Sequence, residues 1–115
     1  MKPGDVVLAQ LPQAGSSEKM RPALLICQFP PFVDWLVCGI SSKLHRFQAN
    51  FDEMLDSSAI DFSTSGLREP SVIRLGFLAT LSARQIGGGL GSVQPVRLHR
   101  LRRNLSEYLG RVADV

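Results

Sequence analysis

The sequence contains few of the residues that build metal centres and disulfide scaffolds. It has 2 cysteines and 2 histidines among 115 residues, and a structural zinc site needs four such ligands at short spacings. Cys27 and Cys38 both lie in apolar runs, where a free thiol behaves as a small buried hydrophobe. The sequence therefore predicts no metal site, no cofactor and no disulfide-based fold.

Long apolar segments are missing as well. No stretch approaches the roughly 20 apolar residues that span a bilayer, and residues 1–5 lack the apolar segment of a signal peptide. We therefore expect a cytoplasmic protein without a membrane partner.

A length of 115 residues and an apolar share of 44% suit a single domain over residues 1–115 with one core. The net charge of +3 permits an anionic partner without requiring one.

Short apolar runs separated by turn residues fill most of the chain. They predict strands over residues 6–11, 22–28, 35–41, 71–75, 77–81 and 92–96. Pro30 and Pro31 have no backbone N–H for the hydrogen bonds between strands. They therefore mark the tip of a hairpin between the second and third strands. Residues 47–65 are polar and acidic and predict a short helix or strand with a loop. Residues 82–86 predict a helical turn, and residues 87–91, rich in glycine, predict a flexible break.

The last segment has the apolar spacing of a helix, which we predict over residues 97–112. Its apolar stripe consists of Leu98, Leu101, Leu105, Tyr108 and Val112. The arginines of this segment, Arg97 among them, are predicted on the solvent-facing side. Together these elements predict a mainly β protein, a small antiparallel barrel or roll, with a few helices including a C-terminal α-helix.

Several blocks of the sequence, in order, resemble the PemK/MazF family of bacterial toxin–antitoxin toxins. They read KPGDVVLAQLP, RPALLIC, WLVCGISSK and SGLREPSVIRLGFLATLSARQIG, and the resemblance extends over about residues 2 to 110. It implies an SH3-like β-barrel, a fold shared with the gyrase poison CcdB. It also implies a homodimeric, sequence-specific endoribonuclease that needs no metal, and a cognate antitoxin whose disordered tail occupies the RNA groove.

Arg21 and Ser41 are the leading catalytic candidates. If their strands form an antiparallel hairpin, the start of one lies beside the end of the other, so both side chains reach the same rim of the sheet. Metal-free cleavage through the 2′-hydroxyl needs a group that stabilises the phosphorane, and a guanidinium fork matches two phosphate oxygens. A hydroxyl can donate to the phosphate or position the 2′-oxygen. The resemblance implies these same positions, since the family's arginine before proline matches Arg21 and its threonine matches Ser41.

Arg74 is the third catalytic candidate because it interrupts an apolar run. Some branches of the family that this chain resembles have a site arginine there, and the alternative is an arginine that points to solvent. The expected RNA-binding residues flank these positions and are Ser16, Ser17, Glu18, Lys19, Ser42, Lys43 and His45. A histidine can act as a general acid or base, so His45 is a candidate for proton transfer, whereas the alternative is an exposed loop histidine.

Gly76 and the segment over residues 79–82 depart from the family pattern, and three functions therefore stay open. Gly76 replaces the aspartate of the arginine-bearing branch, and residues 79–82 read Ala-Thr-Leu-Ser where the family commonly has Arg-Thr-Ile-Asp. Retention of Arg21 and Ser41 favours an endoribonuclease toxin acting on single-stranded RNA such as mRNA. Gly76 favours a non-catalytic, CcdB-like or degenerate binding module. A general nucleic-acid-binding SH3-like domain is the third possibility.

A homodimer is expected for a physical reason also. One domain of this size has little concave surface for several nucleotides, so a groove between two subunits fits RNA better, and two-fold dimers are the commonest oligomers. The candidate dimer patch includes Phe77 and Leu78. RNA and an acidic antitoxin segment are expected to compete for the resulting basic groove.

Overall fold

An antiparallel sheet of six strands carries the fold in the computed structural model, which describes residues 1–12 and 19–111. The strands are β1 (Asp5–Gln10), β2 (Met20–Phe29), β3 (Asp34–Ser41), β4 (Glu53–Leu55), β5 (Ser71–Leu81) and β6 (Ile86–Ser92), and the helices are α1 (Phe62–Ser65) and α2 (Pro95–Arg111). The strand order is β4-β5-β3-β2-β1-β6. The sheet is not closed, but it has the form of a barrel-like roll. The prediction of a mainly β protein with a C-terminal helix is confirmed.

The sheet buries apolar side chains on both of its faces. Val6 of β1 and Leu24 of β2 belong to one cluster, whereas their neighbours Val7 and Leu25 belong to a second cluster that also contains Trp35. Consecutive strand residues point to opposite faces, so a strand that is covered on both sides needs an unbroken apolar run. This explains the continuous apolar runs in the sequence.

The free cysteines contribute to this packing. Cys38 is buried and Cys27 is half-buried. Burial, and then the negative charge of Asp52, raise the pKa of the Cys38 thiol to about 12. The thiol is therefore protonated and unreactive at neutral pH.

Helix α2 covers one face of the sheet with the first half of its apolar stripe. Leu98 and Leu101 are buried in the cluster that contains Val6. Tyr108 is 44% exposed, and its ring centroid lies 5.1 Å from that of Phe51. The predicted stripe thus packs most tightly at its start, and Val112 lies outside the described residues.

Arg97 is buried, and the prediction that it faces solvent is wrong. Its Nε and Nη2 donate to Oδ2 and Oδ1 of Asp61 at 2.9 Å and 3.0 Å. Its Nη1 donates to Oε1 of Glu53 at 3.0 Å, and Asp61 Oδ2 also accepts from the Gln94 N–H at 3.0 Å. Burial raises the pKa of Asp61, but the hydrogen bonds and charge of Arg97 outweigh it and leave that pKa below its ordinary value. The spacing of residues in a helix predicts which side of the helix is apolar. It does not show that acidic residues from distant segments, here Asp61 and Glu53, pack against that helix.

Three sequence predictions about the last third of the sheet need correction. β5 is one strand over residues 71–81, residues 87–91 belong to strand β6, and the predicted strand over residues 92–96 is replaced by the end of β6 and the start of α2. Gly91 of β6 permits close backbone packing against α1. A Cβ at Gly91 would lie 2.0 Å from the carbonyl oxygen of Thr64, so this contact requires glycine.

A bulge around Gly76 joins the two strands that were predicted separately over residues 71–75 and 77–81. Arg74 of β5 pairs with Gly39 of β3, after which the register shifts and residues 75–77 bulge out from the ladder. The buried carboxylate of Asp52 accepts a hydrogen bond from the Leu75 N–H at 3.0 Å. A side chain from outside the sheet therefore holds the bulged backbone, which keeps β5 continuous.

Removal of the Arg97 guanidinium should destabilise the fold. We expect Arg97→Met to lower the free energy of unfolding by about 3–5 kcal/mol, because it leaves the buried Asp61 carboxylate without its cation. Urea denaturation followed by circular dichroism measures the change. Arg103→Met is the matched control, since Arg103 is exposed and contacts the imidazole of His99 on the same helix. Equal stability of the two variants would contradict the structural role of Arg97.

Candidate functional site

A cavity of about 1030 Å³ lies where β2 begins and β3 ends. The antiparallel hairpin pairs Ala23 with Gly39, so the residues before Ala23 run beside those after Gly39. Arg21 and Ser41 stand two residues outward on their respective strands, and both line the cavity. The simple hairpin register assumed from the sequence therefore brings these side chains to one rim.

Strand β5 and the chain after β3 complete the predicted set. Arg74 is half-buried and lines the cavity. Ser42 and Lys43 line it as well, and the backbone N–H of Lys43 donates to Ser41 Oγ at 3.1 Å. Since Ser41 Oγ accepts this bond, its own hydrogen stays available to donate to a ligand oxygen.

Four polar cavity residues were missed by sequence reasoning. They are Arg46, Arg68, Glu69 and Ser71. Arg46 ends the 3₁₀ turn Leu44–Arg46 and could have been inferred from the basic run that starts at Lys43. Arg68, Glu69 and Ser71 have no comparable pattern in the sequence. They come near the end of β3 only because the chain returns there after α1.

The cavity carries an excess of positive charge. Its cationic side chains are Arg21, Lys43, Arg46, Arg68 and Arg74, and its one carboxylate among the described residues is Glu69. Within residues 1–12 and 19–111, none of these cations takes part in an ion pair. Unpaired guanidinium and ammonium groups keep their donors free for an anion such as phosphate.

The other predicted RNA-binding residues are not assembled here. Lys19 and His45 are exposed, and neither lines the cavity. Ser16, Ser17 and Glu18 lie outside the described residues. In the part of the chain that the structure describes, no three histidine, cysteine or acidic side chains are grouped as metal ligands, and no helix has the length and apolarity to cross a membrane.

A family model agrees with the resemblance that the motifs carry. The model of the PemK-like, MazF-like toxin of type II toxin–antitoxin systems matches residues 2–109. The chain belongs to this family. PemK/MazF toxins are endoribonucleases, which act on RNA. The cationic cavity thus belongs to a chain from a family with an anionic substrate. No curated protein is significantly similar to the chain in sequence.

Solved structures of mycobacterial toxins have the same fold. The Mycobacterium tuberculosis toxin MazF-mt6 superposes with a TM-score of 0.69 at 20% identity, covering 95% of this chain and 99% of that chain. An endoribonuclease in complex with its cognate antitoxin, from a mycobacterial species, superposes with a TM-score of 0.68 at 16% identity and covers 99% of both chains. At these identities the likeness establishes the architecture.

The departure from the PemK/MazF pattern at Gly76 has a structural counterpart. Gly76 lies in the exposed β5 bulge, no atom comes within 4 Å of a Cβ built on it, and it does not line the cavity. Glu69 supplies the carboxylate of the described cavity lining instead. Among the described lining residues, the carboxylate therefore comes from the segment before β5 and not from the middle of β5.

Phe77 forms part of the cavity wall because Gly39 leaves room for its ring. A Cβ at Gly39 would lie 2.6 Å from Phe77 Cδ2 and 3.1 Å from Cγ. The ring is half-buried and lines the cavity beside Arg74. The β5 bulge and a glycine in β3 together hold an aromatic surface in this wall.

Two glycine substitutions test this packing. We expect Gly39→Ala to lower the free energy of unfolding by about 1–3 kcal/mol, because the new methyl group must displace the Phe77 ring. Gly76→Ala should leave stability almost unchanged, since a Cβ at that position meets open space. Thermal unfolding of both variants and the parent protein measures the difference. Similar effects of the two substitutions would contradict the proposed packing of Phe77 on Gly39.

Proposed function

We propose that this PemK/MazF toxin is an endoribonuclease that cleaves single-stranded RNA, including mRNA in the cytoplasm, without a metal ion. The observation that carries the proposal is the convergence of Arg21, Ser41 and Arg74 on one cationic cavity. In the proposed reaction the 2′-oxygen attacks the adjacent phosphorus and the bond to the 5′-oxygen breaks. The proton of the 2′-hydroxyl is removed, the 5′-oxygen gains a proton, and the products carry a 2′,3′-cyclic phosphate and a 5′-hydroxyl.

The cavity residues suit the charge that develops in this reaction. The phosphorane carries one more negative charge than the phosphodiester, so groups that already point at its oxygens stabilise it more than the ground state. Arg21 and Arg74 would donate to the non-bridging oxygens. Ser41 would donate to the phosphate or hold the 2′-oxygen in line. These roles match the free donors that the three side chains present.

The flanking cations suit the neighbouring nucleotides. Lys43, Arg46 and Arg68 line the same cavity, and each can contact a phosphate on either side of the scissile one. Such contacts position RNA without reading its sequence. RNA affinity should therefore fall with salt, by about 0.7 log units per phosphate contact for each decade of salt concentration.

Cleavage of a long RNA in EDTA tests the reaction. We expect the parent protein to cleave under these conditions and Arg21→Ala to lower the rate about a hundredfold, because loss of a phosphate donor costs about 3 kcal/mol in the transition state. Gel analysis of end-labelled RNA gives the rates. Arg103→Ala on the exposed face of α2 is the matched control and should keep the parent rate.

The same assay includes the outcomes that contradict the proposal. Cleavage of a substrate with 2′-deoxyribose at the scissile position, or loss of activity in EDTA, would exclude the 2′-hydroxyl mechanism. A non-catalytic binding module is the second candidate, favoured by the absence of an acid at Gly76. It predicts RNA binding with no cleavage by the parent protein.

We further propose that two copies of the chain form a homodimer that a cognate antitoxin inhibits. Leu78, which follows Phe77 in β5, is an apolar side chain that is 38% exposed. A two-fold dimer through this region would place two cationic cavities along one surface. An acidic antitoxin segment would bind there by charge complementarity and exclude RNA. The structure of a mycobacterial endoribonuclease in complex with its cognate antitoxin supports the proposal that this chain binds an antitoxin.

Sedimentation equilibrium tests the assembly. We expect about twice the chain mass of 12.6 kDa at micromolar concentration, and a shift toward the monomer for Leu78→Lys because the charge would be buried at the interface. Leu109→Lys is the matched control, since Leu109 is 64% exposed on α2. A parent protein that stays monomeric would rule out the dimer, and an acidic antitoxin peptide that fails to displace labelled RNA would rule out competition.

A further inference from the structure

Glu69 is an acidic residue in a cavity that otherwise presents cations. It is exposed, and its carboxylate forms no hydrogen bond or ion pair with any described residue. Its backbone carbonyl accepts a hydrogen bond from Ser71 Oγ at 2.9 Å, which fixes the chain just before β5. The carboxylate lines the cavity and makes no structural contact among the described residues, so its acceptors are available to a ligand.

The sheet register locates Glu69 beyond the catalytic candidates. Ser41 pairs with Val72 in the β3–β5 ladder, and Glu69 precedes Val72 by three residues, so it lies past the end of the sheet. Three residues span at most about 10 Å of extended chain. Arg21 and Arg74 lie on the strands themselves. Glu69 thus lines the same cavity as these residues from a position beyond the strand ends.

The chemistry of a carboxylate selects the part of the nucleotide that it can contact. An ionised carboxylate only accepts hydrogen bonds, and it repels phosphate. Single-stranded RNA exposes the Watson–Crick edges of its bases. Guanine presents two adjacent donors there, N1–H and the N2 amino group, which match the two carboxylate oxygens. Adenine, cytosine and uracil each place an acceptor beside their donor, so a carboxylate fits guanine best.

We propose that Glu69 is a specificity-determining residue that binds the Watson–Crick edge of a guanine next to the scissile phosphate. This inference rests on the proposed function, because it requires single-stranded RNA in the cavity. Arg21, Arg74 and Lys43 would fix the backbone, and Glu69 would choose the base. The cations thus supply affinity, while the Glu69 carboxylate supplies sequence preference.

Binding of short oligonucleotides separates base selection from cleavage. The probes are fluorescein-labelled pentanucleotides with 2′-fluoro sugars, which cannot be cleaved through a 2′-hydroxyl, and they carry guanine, adenine, cytosine or inosine at the centre of a uridine background. We expect the parent protein to bind the guanine probe about tenfold more tightly than the adenine and cytosine probes. Inosine lacks the N2 amino group and should lose much of this advantage.

The variant Glu69→Gln distinguishes base reading from simple electrostatics. It should lose the guanine preference while binding the adenine and cytosine probes as tightly as the parent or more tightly, because one negative charge is removed. Glu107→Gln removes an exposed carboxylate on α2, outside the cavity, and should keep the preference. Cleavage sites in a long RNA, read by sequencing, should include a guanine for the parent protein and lose it for Glu69→Gln.

The possible results separate this inference from the nuclease proposal. Equal binding of all probes by the parent, or an equal gain for all probes in Glu69→Gln, would overturn guanine selection even if RNA is cleaved. Guanine-selective binding that depends on Glu69, with no cleavage, would support the inference and overturn the nuclease. Absence of binding to every probe would overturn guanine selection alone if long RNA is still cleaved, and it would overturn both proposals if long RNA is neither bound nor cleaved.

Discussion

The buried pair between Arg97 and Asp61 determines how the segment between β4 and β5 returns to the sheet. Asp61 is 2% exposed, and a buried carboxylate is tolerated only where a cation and hydrogen-bond donors compensate its lost hydration. Arg97 and the Gln94 N–H provide these partners from the start of α2. The pair therefore joins the helix to α1, and the chain that follows α1 leads Arg68 and Glu69 into the cavity.

A second buried carboxylate shapes the opposite wall of the cavity. Asp52 accepts the hydrogen bond of an amide that the β5 bulge removes from the ladder, which avoids the cost of a buried unpaired N–H. The bulge places the Phe77 ring over Gly39, close to Arg74. Asp52 and Asp61 thus fix both sides of the cavity. The polar segment over residues 47–65 therefore matters for a site to which it contributes no lining residue.

Two groups of arginines have different physical roles. Arg97 and Arg100 share Glu53 and hold α2 in place, and the hydrogen bond and charge of Glu53 raise the pKa of Arg100. Arg21 and Arg74 have no acidic partner among the described residues. Cationic side chains without acidic partners repel one another, which destabilises the fold locally. Such repulsion is expected at a site that binds an anionic ligand.

The mainly β class, most strands, the C-terminal helix and the location of Arg21 and Ser41 at one rim of the sheet all follow from the sequence. Apolar runs, prolines and hairpin register are local signals, and an antiparallel hairpin brings its ends together without further information. The tertiary structure alone decided that Arg97 is buried, that β5 bulges, that the glycines over residues 87–91 form a strand, and that Glu69 reaches the cavity. Each of these depends on a partner distant in sequence, because burial and charge compensation are properties of the packed chain.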